Sequence, residues 1–154
     1  MAATLTVTHS ESLKLNGVQQ GGSNTIAIPS IAEITKRIMT ITTAEATVAT
    51  FSTAVASAGH YIAADVRYIR FTNLDDTNFL TLTFRNQDND EAAIKLDAGQ
   101  SFIWNGDNAN GMTAVLNATQ DADAASSTNF GSLTNIQADA DTDSFDLEVF
   151  VASA

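Results

Sequence analysis

Residues 66–86, VRYIRFTNLDDTNFLTLTFRN, hold two strand patterns separated by a polar corner. In each half, apolar side chains alternate with polar or charged ones, which is the period of a β-strand with one buried face. The side chains that fall on the apolar faces are Ile69, Phe71, Leu80, Leu82 and Phe84. This stretch predicts two β-strands on either side of a turn.

The same alternation continues toward the C-terminus, at a spacing of about ten residues per strand. It predicts four consecutive antiparallel neighbours at about 66–72, 79–85, 92–97 and 101–105. The five apolar residues above, together with Ile94, Leu96, Phe102 and Trp104, are expected to be mostly buried.

The flanking sequence is also rich in strand and turn signals. Asn16-Gly17 is a strong hairpin turn signal, and the alternation in residues 144–152 predicts a last strand that ends inside a sheet. Further strands are expected in residues 4–8, from about 34 to 43, in 48–55, in 112–116 and from 136, and an exposed loop in 120–129. No segment has a residue pattern that predicts a helix longer than two turns. The fold class is therefore all-β, an antiparallel β-sandwich or jelly-roll-like single domain, with an N-terminal strand or arm at 1–20 and the sandwich at 21–154.

Composition excludes several classes of function. The net charge of -11 opposes binding to nucleic acid and to anionic membrane surfaces, and no apolar run approaches the roughly 20 residues that span a bilayer. Without cysteine there are no disulfides, thiol nucleophiles or thiolate metal sites. All seven Lys and Arg residues precede residue 100, and the charged residues after Trp104 are eight aspartates and glutamates. That acidic half is either a solvated face or a surface that docks on a basic partner.

The corner between the first two strands contains Asp75 and Asp76. Two neighbouring carboxylates can form a general acid/base pair, but Asp and Asn between strands are ordinary turn chemistry. We interpret the corner as a structural β-hairpin turn formed by Arg70, Asn73, Asp75, Asp76 and Asn78, with Arg70 binding the carboxylates or carbonyls of the turn.

Other candidate sites are incomplete. Two segments have the residue spacing of the first half of a calcium-binding loop: the aspartates of residues 139–143, and Asn86 with Asp88 and Asp90. Both lack the glycine and the glutamate that such a loop has at its later positions. Each is therefore either a weak Ca²⁺ site or a solvated loop. Neither His9 nor His60 lies in a zinc motif, and no nucleophile or phosphate-loop motif is present. We therefore predict no catalytic, cofactor or metal site, and no enzyme activity.

Four aromatic residues leave two interpretations open. Trp104, Tyr61, Tyr68 and Phe150 could together form a sugar-stacking platform. Alternatively, Trp104 belongs to the core and Phe150, on the outward parity of the last strand, lies in an interface.

The N-terminal segment predicts an assembly arm. Leu5, Val7, Leu13 and Leu15 are its apolar residues, and no neighbouring sequence protects its edge. We expect this edge to pair with another chain, either a sister copy or a particle shell.

Two stretches of the chain resemble the core of small all-β virion proteins of tailed bacteriophages. They are residues 65–86, DVRYIRFTNLDDTNFLTLTFRN, and residues 94–107, IKLDAGQSFIWNGD. The resemblance implies a non-enzymatic structural role, as a capsid decoration or cement protein, or alternatively as a tail, neck or fibre-associated protein with a receptor- or sugar-binding role. It further implies a location in the virion after synthesis in the host cytoplasm. The implied partners are copies of itself, with a trimer expected, and a capsid or tail protein.

Overall fold

The computed structural model describes residues 2–105 and 133–154, which form thirteen β-strands and no helix. The strand expected at 112–116 and the loop expected at 120–129 lie outside the described residues. In chain order the strands are β1 (Ala3–Ser10), β2 (Lys14–Leu15), β3 (Val18–Gln19), β4 (Ser23–Ile31), β5 (Glu33–Ile41), β6 (Ala46–Ser52), β7 (His60–Ile62), β8 (Val66–Asn73), β9 (Leu80–Asn86), β10 (Glu91–Leu96), β11 (Ser101–Asn105), β12 (Leu133–Ala140) and β13 (Phe145–Ser153).

Two sheets form the body of the domain. One has the strand order β10-β9-β12-β6-β7 and the other the order β11-β8-β13-β5. Every pair in them is antiparallel except β6 with β7. Side chains from both sheets belong to one buried apolar cluster, as expected when two inner faces interdigitate. The prediction of an all-β sandwich is confirmed.

The alternation around residues 66–105 identifies the core well. Of the nine residues expected inside, six are buried: Ile69, Phe71, Leu80, Leu82, Phe84 and Leu96. The other three, Ile94, Phe102 and Trp104, are partly buried and pack against that core. Their strands β10 and β11 lie at the outer edges of the two sheets, which leaves one flank of each side chain uncovered.

The predicted chain of consecutive neighbours is wrong. β8 lies in the four-stranded sheet and β9 in the five-stranded sheet, so the corner between them crosses from one layer to the other and is not a hairpin turn. β9 and β10 do pair, and β11 then returns to pair with β8. An apolar face turned toward the common core has the same alternation in either layer, so the pattern alone could not distinguish the two topologies.

The last strand is central, as the sequence predicts. β13 pairs with β5 along one edge and with β8 along the other. Leu147, Val149 and Val151 are buried in the core, whereas Glu148 and Phe150 lie on the outer face, which is the face turned away from the five-stranded sheet. The chain therefore ends within the sheet.

Residues 3–31 form a long hairpin. β1 pairs with β4, and β2 with β3. Asn16 and Gly17 turn the chain between β2 and β3 with φ angles of 51° and 83°, the left-handed pair that a two-residue hairpin turn requires. The expectation that no neighbouring segment protects the N-terminal strand is therefore wrong for one edge, whereas its other edge has no strand partner among residues 2–105 and 133–154. The hairpin begins in the predicted arm 1–20 and closes in the predicted domain 21–154.

The base of this hairpin adds a third layer to the sandwich. Ile28 and Ile31 are buried against Tyr68 and Ala152 on the outer face of the four-stranded sheet. Their partly buried neighbours in this second cluster are Leu5, Val7, Ile26, Ile103 and Phe150. Phe150, for which an interface role is one of two interpretations, is partly buried against its own chain.

Candidate interaction surface

The polar corner after β8 is held by a buried amide. Asn73 is inaccessible to solvent, and its Nδ2 donates to the carbonyl oxygens of Asn78 at 2.9 Å and Leu96 at 3.1 Å. Its Oδ1 accepts the backbone N–H of Asp75 at 2.9 Å. One side chain thus ties both ends of the corner to β10, in the other sheet, which is how the crossing between layers is fixed.

The two aspartates of the corner act as hydrogen-bond acceptors. Asp75 Oδ1 accepts the backbone N–H groups of Thr77 at 2.8 Å and Asn78 at 2.5 Å, and these bonds lower the pKa of Asp75. Asp76 Oδ1 accepts the Thr77 hydroxyl at 2.9 Å. A general acid needs a raised pKa, so the environment of Asp75 favours a structural role.

Arg70 does not take part in this corner in the way the sequence predicted. Its guanidinium lies on the outer face of β8, where Nη2 donates to Glu148 Oε1 and the guanidinium carbon lies 5.5 Å from the centre of the Phe150 ring. β13 pairs with β8 so that Phe150 lies opposite Arg70. This places Glu148 and Phe150 beside the guanidinium, although both are far away in sequence.

Glu148 is the centre of a small ion-pair network. Its carboxylate is nearly buried and binds Lys36 Nζ at 2.8 Å in addition to Arg70. The hydrogen bond from Lys36, supported by Arg70, lowers the pKa of Glu148 although burial opposes this effect. The network joins β5, β13 and β8 across the outer face of the sheet.

This network predicts a loss of stability in acid. A carboxylate whose folded-state pKa lies below its unfolded value of about 4.5 stabilises the fold above that value. The contribution is lost as pH falls through the lowered folded pKa. We expect the free energy of unfolding, measured by urea titration between about pH 2 and pH 6, to decrease with acid more steeply in the wild type than in Glu148→Gln. Equal slopes for the two proteins would contradict this role of Glu148.

The four aromatic residues do not form a common platform. Tyr61 packs on Phe51 in the five-stranded sheet, and Tyr68 packs edge-on against Phe150 beneath the hairpin. Trp104 belongs to a third group with Phe84 and Phe102. The stacking platform is therefore not assembled.

The two calcium-like spacings do not converge into a ligand set. Asn86 Oδ1 accepts the backbone N–H groups of Asp88 and Asp90 at 2.9 and 2.8 Å, and its Nδ2 donates to Asp90 Oδ2 at 2.9 Å. The side chains at this turn therefore bind one another. Within residues 2–105 and 133–154, no group of three or more His, Asp or Glu side chains is arranged to hold a metal ion.

A cleft lies at the open edge of the sandwich, between β5 and β7. It has a volume of about 440 Å³, and its polar lining includes Glu33, Arg37, His60, Tyr61 and Asp65. Arg37 Nη2 donates to the Val48 carbonyl at 2.6 Å, from one sheet to the other. The hydroxyl of Tyr61 is buried and has no hydrogen-bond partner among the described residues, and burial raises its pKa, although Arg37 partly opposes this.

Gly59 provides the space for Arg37 in this cleft. It has a φ of 86°, and a Cβ atom there would lie 2.8 Å from Arg37 Nη2. We expect Gly59→Ala to destabilise the fold by about 1–3 kcal/mol, from backbone strain together with the displaced guanidinium. Gly99→Ala is the matched control, because Gly99 has a φ of 70° and a Cβ atom added there would meet no described atom within 4 Å. Equal losses for the two variants in chemical denaturation would mean that Arg37 packing contributes nothing.

The hairpin carries the largest exposed apolar side chains of the N-terminal segment. Leu5 and Val7, in the base, are partly buried against the sheet. Leu13, Leu15 and Val18, near the turn, are 56%, 57% and 58% exposed. The predicted assembly residues thus divide into a pair that packs on its own body and a pair that remains exposed. Val18 was not predicted, although its position opposite Leu15 follows from the Asn16-Gly17 turn.

Comparison of the chain with family models, with curated proteins and with solved structures finds no match. No helix in the described part of the chain is long and apolar enough to cross a membrane.

Proposed function

We propose that this chain is a structural subunit of a tailed-bacteriophage virion, a capsid decoration or cement protein that acts by repeated protein–protein contacts. The observation that carries the proposal is the exposed apolar group Leu13, Leu15 and Val18 on the hairpin. Isolated exposed apolar residues are common, but a cluster of them on a projecting element is typical of a contact surface. The resemblance of residues 65–107 to small virion proteins is the reason for proposing the virion as the place where this surface acts.

The chemistry of the other surfaces is compatible with this proposal. In the polar corner, the carboxylate of Asp75 accepts hydrogen bonds from the backbone of the same turn. On the outer face, the carboxylate of Glu148 forms ion pairs with Lys36 and Arg70. Contacts of this kind stabilise the fold. The proposed partners are copies of this chain, as a trimer, and a capsid or tail protein, in a virion assembled in the host cytoplasm.

The test is to purify virions from infected cells that produce this chain and to measure its copy number by mass spectrometry, with density mapping of the particle. A decoration protein is expected in numbers comparable to the major capsid protein and at regular positions on the shell. Absence of the chain from the particle would overturn the proposal.

A second candidate is a tail, neck or fibre-associated protein with a sugar-binding role. The observation that favours it is the open-edge cleft, whose polar side chains could hydrogen-bond a sugar. It predicts a copy number far below that of the capsid protein, and binding on a glycan array that Asp65→Ala weakens, since Asp65 is a partly exposed residue of the cleft lining. Binding that is absent or insensitive to Asp65 would remove this candidate.

A further inference from the structure

The pairing register of the hairpin is the same at its base and at its turn, although residues 11–13 and 20–22 between the two ladders belong to no strand. Leu5 pairs with Ile28 and Leu15 with Val18. Between these pairs, the hydrogen bonds Glu11 N–H to Gly22 O and Gln20 N–H to Leu13 O keep the same register. Leu15 and Val18 form a cross-strand pair of β2 and β3 and share a face. In this register Leu13 and Leu15 also have the parity of Leu5 and Val7, which pack on the sheet.

This face is covered at one end only. Ile28 is fully buried on the four-stranded sheet, whereas Leu13, Leu15 and Val18 are more than half exposed. We call these three residues the tip patch. The tip patch is apolar, like the base of the hairpin, but no sheet lies beneath it. It is therefore complementary to an apolar sheet face such as the one that the base covers, the outer face of the four-stranded sheet.

The same sheet offers such a surface. Ile34 and Ile38 on β5 are 56% and 59% exposed, and Lys36 lies between them. In the register of β5 with β13, Ile34 lies opposite Ala152 and Lys36 opposite Phe150. Opposite residues share a face, and Ala152 and Phe150 are the residues that the hairpin base contacts.

We call Ile34, Lys36 and Ile38 the β5 patch. It is continuous with the surface to which this hairpin already binds within its own chain, but it lies at the sheet edge, beyond the part that the base covers. The charges also correspond, since Lys36 of the β5 patch shares the single carboxylate of Glu148 with Arg70, which leaves a net positive charge there, and Glu11 of the hairpin is acidic. In a chain of net charge -11, close approach of two copies is otherwise opposed by repulsion.

We propose that the tip patch of one copy packs on the β5 patch of a second copy. This inference rests on the proposed structural function, for which it names the partner and the contact. The two patches are different surfaces, so the contact is head-to-tail, and it closes into a ring if the rotation between copies allows it. In a closed ring each copy both donates and receives a hairpin, and the contacts reinforce one another.

The test uses the purified full-length chain and light scattering across a concentration series. The tip variant is Leu13→Ser/Leu15→Ser/Val18→Ser, and the β5 variant is Ile34→Ser/Ile38→Ser. Burial of one such side chain contributes about a tenfold factor in affinity, so we expect the wild type to be oligomeric and each variant to run at the 16.2 kDa monomer mass. The control is Lys14→Ser/Gln19→Ser, which alters the opposite face of the same hairpin and should leave the oligomer intact.

Mixing the two variants gives the decisive result. The tip variant retains its β5 patch and the β5 variant retains its tip patch, so one intact contact can form between them. We expect a 1:1 mixture to produce a dimer that neither variant forms alone. A monomeric wild type, an oligomer that survives in either variant, or a mixture that stays monomeric would each overturn the proposal. The purified-particle experiment is independent of these results, so failure of the contact and failure of the virion role are distinguishable.

Discussion

Replacement of Phe84 by alanine is expected to lower the free energy of unfolding by about 3–5 kcal/mol, the range for large aromatic truncations in a core. Phe84 is 7% exposed. Its ring lies 5.4 Å from the Phe102 ring and 6.0 Å from the Trp104 ring, centre to centre, and both contacts are edge-on. Phe84 belongs to β9 and the other two to β11, so the aromatic group joins the two sheets.

The measurement is urea or guanidinium denaturation followed by Trp104 fluorescence and by far-ultraviolet circular dichroism. Phe84→Leu is the matched control, because it keeps most of the buried volume and should cost much less. Asp75→Asn is also expected to cost much less than Phe84→Ala, since an amide oxygen can still accept the N–H groups of the turn. A loss below about 1 kcal/mol for Phe84→Ala would show that the two sheets do not depend on this group.

Alternation in the sequence predicts which side of a strand is buried, but it does not predict the neighbour of that strand. Ile69 and Phe71 in β8, and Leu80 and Leu82 in β9, have the same pattern and the same burial. They nevertheless belong to opposite layers. The corner between β8 and β9 separates the two pairs. It is fixed by the hydrogen bond that Asn73 Nδ2 donates to the Leu96 carbonyl. These two residues are far apart in sequence, so no local pattern predicts their contact.

Arg70 illustrates the same limit for polar residues. From the sequence alone, the expected partners of Arg70 are the nearby carboxylates of Asp75 and Asp76. In the fold it binds Glu148, because the register of β13 against β8 brings that carboxylate alongside. A side chain in the middle of a strand points perpendicular to the sheet, so its partners come from adjacent strands more readily than from the turn at the strand end.

The hairpin shows which part of a surface the sequence can reveal. Leu5 and Val7 have the same spacing and polarity as Leu13 and Leu15, and the sequence groups the four as one arm. Only the first pair lies over the sheet. The difference depends on where the body ends beneath the hairpin, which is a property of the assembled layers.

Ile28→Ala is expected to loosen the hairpin without unfolding the sandwich. Ile28 is fully buried at the centre of the cluster that attaches the hairpin to the outer face, with Ile31, Tyr68 and Ala152. This cluster is separate from the main core between the two sheets. Truncation of a buried isoleucine costs about 2–5 kcal/mol, and that cost should fall on the attachment of the hairpin.

Native-state hydrogen exchange separates the two regions. We expect the amides of β1 and β4 to lose protection by about thirtyfold or more in Ile28→Ala, because each 1.4 kcal/mol corresponds to a factor of about ten. The amides of β8 and β13 should change far less. Lys14→Ser, which alters an exposed side chain on the opposite face of the same hairpin, should leave both sets unchanged. An equal loss of protection in β8 and β13 would show that hairpin and sandwich open as one unit, and the hairpin could not then be loosened separately from the body that carries the β5 patch.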